Sequence, residues 1–568
     1  MTTNFPQADI KEQSKGTTPL QLHEWKPLLM VGGFFFTVCM ALVLHRHFTF
    51  YSSYDQGIFN QVMWNGTQGN FFQSSLSSQL STNVVHAGEV PDVSYHRLGQ
   101  HFTPALLLWL PLYSWFPQAA TLSVLLVTVI SAAGMVLYVL ARQYLEPIPA
   151  CWITCSYYGA HAVIGPTLCN FHDNFQLPLF MFTLLLAMEK RWWWLFALMC
   201  PLILAIREDT GIALFGVGMY MIVSRRFPRI GAMVCVLSFG YILALTNLIM
   251  PLFSDDISKR FMLEQFGQYT DAQEASTLDI IKGMLMSPGK LAIELITPFS
   301  LTLRYIIAQW LPFAFVPVVA PTAWIITGFP LLKLFSGQTT SLLSVNVRYA
   351  IAVVPGLCYG AILWWSGEGF NNFFQPNKPR QPRALSRVSK RVWAICLSIS
   401  IFLAIAANPN RTLYFIVPDS VEPWVYVSPL QQWQRSQEIH NIIGRIPEDA
   451  SVAATTYIIP HLSSRREIIR SPFVFIKDDN GQVETVDYVV VDLWRLVRYQ
   501  PAFGEDRESL NIHVGLINHL LTTSQYGITE FINGVVLMEK NVNSVPEKLQ
   551  QWQAYEQSIQ PVLNQERG

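Results

Sequence analysis

Residues 27–57 read PLLMVGGFFFTVCMALVLHRHFTFYSSYDQG, and this stretch decides the fold. Pro27 to Leu44 follows Lys26 and carries no charged side chain, then gives way to His45-Arg46-His47 and, soon after, to Tyr54-Asp55-Gln56-Gly57. An apolar run of this kind enters a bilayer. It has no small-residue cleavage site, so it reads as an uncleaved signal anchor whose N-terminus stays in the cytoplasm. The polar stretch beginning at His45 lasts until Pro104 and closes on His96-Arg97-Leu98-Gly99-Gln100-His101-Phe102. It holds five of the chain's twelve histidines, His45, His47, His86, His96 and His101. Charge gathered where a chain has just left the membrane marks a functional candidate.

Composition agrees with a membrane reading. The 568 residues are 51% apolar and only 13% charged, with a positive mean hydropathy. That predicts an α-helical polytopic membrane protein with a smaller polar part attached. Lys+Arg and Asp+Glu both number 38, so the net charge is zero. Nucleic acid is therefore excluded as the main partner, since binding a phosphate backbone needs a basic surplus; the partner implied is the lipid bilayer itself. All eight cysteines fall in or beside apolar runs, so no disulfide framework is expected. Cys151 and Cys155, four apart, read as packing residues and not as metal ligands.

Apolar segments after the first loop fall at 119–141, 151–169, 174–188, 192–206, 210–223, 230–250, 302–318, 319–335, 347–365 and 392–407. With the first run they predict about eleven spans. Ala105 to Phe116 is shorter, is punctuated by Pro104, Pro111 and Pro117, and reads as an interfacial helix. Basic residues decide the orientation. With eleven spans, Arg142, Glu189-Lys190-Arg191, Arg225-Arg226 with Arg229, and the run Lys378 to Arg391 share the cytoplasmic side with the N-terminus. The implied domains are a cytoplasmic tail (1–26), a membrane domain (27–365) with a large outer loop (45–118), a basic cytoplasmic linker (366–391), a last span (392–407) and an extracytoplasmic part (408–568). Localisation follows as the inner, or cell, membrane. Charge is confined to the span ends, with His161 almost alone at depth, and this weighs against an ion-coupled transporter.

After residue 408 the pattern changes. Helix-like Pro429–Ile446, strand-like Ser451–Thr455, a short helix near Pro460–Ser464, strands at Glu467–Arg470 and Val486–Asp492, a helix near Leu510–Thr523 and strands near 527–540 predict a small α/β domain. It has no glycine-rich phosphate loop.

The outer turns carry the candidate chemistry. Asp55 suits a general base or a metal-holding carboxylate, and suits a helix cap or turn equally well. His172-Asp173 and Arg207-Glu208-Asp209 close two tight turns, as surface charges and caps or as a ligand site. Short apolar runs on both sides of Arg207 sink that triplet toward the membrane, where it needs an ion pair or an anionic ligand. Arg97 and Arg348 can each grip a phosphate oxygen or simply snorkel at the interface.

Taken in order, these motifs resemble those of the GT-C superfamily of polyprenyl-phosphate-sugar glycosyltransferases. They are more closely similar to a family of predicted bacterial membrane proteins named domain of unknown function 2079. The residues that carry the likeness are Tyr54-Asp55-Gln56-Gly57-Ile58-Phe59, His101-Phe102-Thr103-Pro104, Phe171-His172-Asp173, Arg207-Glu208-Asp209, Arg348-Tyr349-Ala350, and Ser451-Val452-Ala453-Ala454-Thr455 followed by Pro460-His461-Leu462-Ser463. The resemblance implies a GT-C-like fold and transfer of a sugar from a polyprenyl-phosphate-linked donor to an unknown acceptor on the outer face. Asp55 and Asp173 inherit the catalytic carboxylate positions. Tyr54, His101, His172, Glu208 and Asp209 are expected to support them. Aminoarabinose and mannosyl transferases of that superfamily carry a lysine before the proline of the His-Phe motif, whereas Thr103 stands here. Phosphate binding is accordingly expected of Arg97, Arg207 and Arg348. The cofactor stays open, a divalent metal being one alternative, as do two other functions: a lipid or polymer transporter or flippase, and a non-catalytic membrane assembly protein.

Overall fold

The computed structural model describes residues 22–272, 274–375, 378, 380–407, 411–413 and 416–564. Most of the tail expected at 1–26 lies outside them. The chain is mostly helical up to residue 407, and a small mixed sheet follows.

The membrane part is a bundle. Five helices are long and apolar enough to cross a bilayer: Lys26–Phe48, Ala119–Ala141, Pro228–Leu252, Arg348–Trp365 and Arg387–Ala406. A sixth is gained if Pro288–Glu294 and Phe299–Phe313, bent by 65°, count as one. Among the described residues, then, five or six helices have the length of a span, where the apolar runs predict about eleven. The segment expected at 151–169 breaks at Gly159-Ala160 into Pro147–Tyr158 and His161–Thr167, and those at 192–206, 210–223 and 319–335 form the shorter helices Trp193–Leu204, Gly211–Val223 and Pro321–Phe335. Pro312, Pro317 and Pro321 interrupt the 302–335 stretch, and Ala314 and Phe315 turn it through left-handed backbone. Irregular backbone of this kind survives in an apolar setting only where protein surrounds it, and Leu311, Pro312, Phe313, Val316 and Pro317 are all buried.

Small residues bring the helices together. A methyl group on Gly216 would lie 2.3 Å from the Ile326 carbonyl oxygen, and one on Gly360 would lie 2.7 Å from the Ala323 backbone. Lipid offers no hydrophobic drive between helices, so close backbone approach supplies the packing. The interfacial helix expected at 105–116 is two short turns, Pro104–Leu108 and Leu110–Tyr113, with Leu107, Leu108, Leu112, Trp115 and Phe116 exposed.

Strands β1 (Val452–Ala454), β2 (Ile468–Arg470), β3 (Tyr488–Asp492), β4 (Tyr526–Ile532) and β5 (Val535–Lys540) form one sheet in the order β2-β1-β3-β5-β4. β1 runs parallel to both β2 and β3, while β5 is antiparallel to β3 and β4. This sheet does not stand apart from the first loop. Phe50, Tyr54, Ile58 and Leu76 share one core with Ile439, Ile442, Ile459 and Val490. Gln61 Nε2 donates to Arg466 O at 2.9 Å, Ser75 Oγ to Ile468 O at 2.6 Å, and Gln79 Nε2 to Arg470 O at 2.7 Å. The basic 366–391 segment is likewise tied down, since buried Glu368 accepts from Arg380 Nη2 at 2.9 Å.

Candidate functional site

Four turns that are far apart in sequence meet at the end of the bundle that carries residues 45–118. The helix Tyr54–Thr67 holds Asp55 in its first turn, where Ser53 makes no side-chain cap. Asp173 opens a short 3-10 turn ahead of the helix Leu177–Lys190. Arg207, Glu208 and Asp209 join Trp193–Leu204 to Gly211–Val223, and Arg348 opens the 3-10 turn Arg348–Ala352. Each of these residues sits where a helix starts or ends, so its side chain reaches sideways across the bundle end.

Arg207 is the centre. Its guanidinium is 3% exposed, with Nε 3.1 Å from Glu208 Oε1 and 3.7 Å from Asp209 Oδ1, and Nη1 3.9 Å from Asp173 Oδ2. Burial alone works against its charge, but Glu208, Asp173 and Asp209 overcome that and hold the group firmly cationic. Burial also disfavours ionised Asp209, yet Lys333 and Arg207 keep its carboxyl below the usual range. Lys333, in the last turn of Pro321–Phe335, forms a tight ion pair with Asp209. The sequence reading missed this lysine, whose one signal was a cation closing an apolar run.

Glu208 anchors the His-Phe motif. Its Oε1 lies 2.9 Å from His101 Nδ1, and its Oε2 accepts from Phe102 N at 3.1 Å. Burial, with Arg207 and Arg97 nearby, pushes His101 well below the ordinary histidine range, so the ring is neutral. His172 is 1% exposed and is lowered to about 4, chiefly by burial. Its ring nitrogens make no hydrogen bond of normal geometry, although the Pro166 carbonyl is near enough to favour a proton there.

Asp55 is the open member of the cluster. Its carboxylate is 43% exposed, and Oδ2 receives Arg348 Nη1 at 3.1 Å. Tyr349 places its ring against both Arg348 and Arg207, 5.3 and 5.6 Å from their guanidinium carbons. Arg97 lies 4.7 Å over the Phe59 ring and touches only neutral oxygens, Ser77 Oγ at 3.4 Å and Gln100 Oε1 at 3.3 Å. Burial lowers it to about 10, while Asp173 and Asp55 pull in the other direction.

The expected residues therefore converge, with one exception. Tyr54 turns away: its hydroxyl donates to Leu76 O at 2.6 Å, and Arg470 covers its ring, so it joins the loop to the sheet and does not support Asp55. An exposed carboxylate and an aromatic side chain one residue apart on a helix point in different directions.

Several buried polar atoms in the cluster make no hydrogen bond: Arg97 Nε, Arg207 Nη1, Arg348 Nε, Thr103 Oγ1 and Asn174 Oδ1. Each such atom costs about 1–3 kcal/mol. Three of the five are guanidinium N–H groups, which is the chemistry of an anion site. Among the described residues, the set of three or more ligand side chains with metal-ligand spacing lies outside this cluster.

No curated protein is significantly similar to this chain. The family model described as "Predicted membrane protein (DUF2079)" matches residues 46–537, a span that takes in Asp55, Asp173, Arg207, Arg348 and all of the sheet except the end of β5. With most of its length matched, from the end of the first helix to the last strand, the chain belongs to this DUF2079 family of predicted membrane proteins.

Proposed function

We propose that the chain is an inner-membrane glycosyltransferase that takes a sugar from a polyprenyl-phosphate donor and passes it to an acceptor on the extracytoplasmic face. The observation that carries this reading is the meeting of Arg97, Arg207 and Arg348, each with an unmet buried N–H, beside the half-exposed carboxylate of Asp55. Guanidiniums of this kind bind a phosphate in fork geometry. In the reading, Arg348 links the phosphate to Asp55, Asp173 and Glu208 hold Arg207 in place, and Asp55 takes the proton from the acceptor hydroxyl as the sugar leaves its phosphate.

A place for the lipid tail supports the same reading. A cleft of about 780 Å³ is lined by Phe299, Arg304, Ile307, His161, Leu403 and Asn346, which stands two residues before Arg348 in the chain. Its walls are mostly apolar side chains, suited to isoprene units. In this reading the shorter apolar helices Trp193–Leu204, Gly211–Val223 and Pro321–Phe335 also cross the bilayer, and a basic end of the bundle favours it. There Arg226 Nη1 pairs with Glu189 Oε1 at 2.6 Å, and buried Glu368 holds Arg380, a second polar cluster built from residues that the basic-residue rule puts on the cytoplasmic side.

The test uses purified full-length protein in detergent with a polyprenyl-phosphate sugar labelled in the sugar, plus an extracytoplasmic envelope fraction. Label moving from the lipid into that fraction is the expected result. Label that stays on the lipid under every acceptor condition would overturn the reading.

A further inference from the structure

Away from this cluster, we infer that His86, Asp255 and Asp256 form a divalent-cation site that staples the first loop to the 253–298 segment. His86 Nε2 lies 2.7 Å from Asp256 Oδ1 and 3.4 Å from Asp255 Oδ1. One ligand atom from each of the three residues falls within 4.8 Å of the others. Distances of this order let a single ion touch all three with little movement.

Charge balance points the same way. The Asp256 side chain is fully buried, and among the described residues no lysine or arginine lies within 4 Å of it. Lys259 pairs with Asp255 on the exposed side. An imidazole is a cation only when protonated, and one N–H serves one oxygen at a time, whereas a dication draws on both carboxylates at once. Hydroxyls hold the buried carboxylate in position: Ser81 Oγ donates to Oδ1 at 2.9 Å, Ser254 Oγ to Oδ1 at 2.7 Å, and the Tyr95 hydroxyl to Oδ2. Metal-binding carboxylates are oriented by such partners. A cavity of about 560 Å³ lined by His86, Asp255, Tyr95, Glu89, Asp92 and Lys477 gives solvent access, and with Lys477 paired to Asp92 its remaining carboxylates, Glu89 and Asp255, attract cations.

One imidazole nitrogen and two carboxylate oxygens, with water from the cavity, suit Mn²⁺ or Zn²⁺ and not a soft monovalent metal. The ion would fix the loop that delivers Arg97 and His101. Gly99 already lies against Ser254, where a methyl group would come within 2.4 Å of the Ser254 nitrogen, and the His96 ring is 5.3 Å from that of Phe253. Asp255 and Asp256 stand some 170 positions from His86, so no local spacing in the sequence shows the site.

The experiment strips purified full-length protein with EDTA, re-adds Mn²⁺ or Zn²⁺, and measures metal per chain after gel filtration, with the free Mn²⁺ electron paramagnetic resonance signal giving the affinity. One ion per chain is expected, together with a higher Tm when it is bound. Asp255→Asn, at a half-exposed position that leaves folding intact, and His86→Ala should each weaken binding by about tenfold or more and abolish the gain in Tm. Equal metal content in wild type and Asp255→Asn would overturn the proposal. So would no binding by the wild type, leaving the triad an imidazole–carboxylate hydrogen-bond cluster.

Discussion

Burial strips Arg207 of water at a membrane face, and Glu208, Asp173 and Asp209 replace that water. Removing the cation leaves those carboxylates facing one another, with Lys333 paired to Asp209 and Glu208 left against the neutral His101 ring. Arg207→Gln should therefore cost about 3–5 kcal/mol of stability, the usual penalty for breaking a buried pair. Thermal unfolding in detergent checks this, and a Tm equal to wild type would mean that water reaches the cluster freely. His172 gives a pH dependence of definite sign. Its folded value of about 4 lies below the ordinary 6.5, so between those values the unfolded chain binds the extra proton. Stability is full above about pH 6.5 and falls as the pH drops toward 4, by on the order of 3 kcal/mol at about 1.4 kcal/mol per pKa unit. His172→Asn should flatten this part of the profile, read as Tm at pH 5 against pH 7. The residue types of the cluster were legible in the sequence because charged turns between apolar runs are few. Their pairings were not: Lys333 with Asp209 and Arg348 with Asp55 join segments more than a hundred residues apart.

At the scale of elements, the helices pack by backbone contact. Gly216→Leu would drive a side chain into the Ile326 carbonyl, and overpacking of this kind costs about 1–3 kcal/mol or more. The variant should lower Tm while leaving lipid-phosphate affinity in the surviving fraction unchanged. Unaltered stability would show that the helix Gly211–Val223 has room to move away from Pro321–Phe335. The sheet region was readable almost strand by strand, since alternation and turn residues are local signals: Ser451–Thr455 became Val452–Ala454, and Glu467–Arg470 became Ile468–Arg470. The antiparallel hairpin Phe475–Lys477 with Val483–Thr485 and the terminal helix Pro546–Leu563 went unread, being short in one case and weakly patterned in the other. Helix lengths in the bundle misled for another reason. Mean hydropathy does not register where proline and left-handed residues break a run, as at Pro312 to Pro321.

Over the whole molecule, the sheet and the first loop fold as one body. Asn60, Gln61, Ser75 and Gln79 all bond into the 463–470 segment, so the sheet stands over the same bundle end as Asp55. Orientation is tested by impermeant cysteine labelling in intact cells at exposed positions. Ser94→Cys and Gln482→Cys should react and Ser386→Cys should not; the reverse pattern would invert the topology. The central claim concerns Asp55. Asp55→Asn keeps the size and much of the hydrogen bonding of the side chain but removes its charge. At matched membrane levels, the rate of sugar transfer from a polyprenyl-phosphate donor should fall about a hundredfold or more, with Tm little changed. Transfer by Asp55→Asn at the wild-type rate would contradict the account.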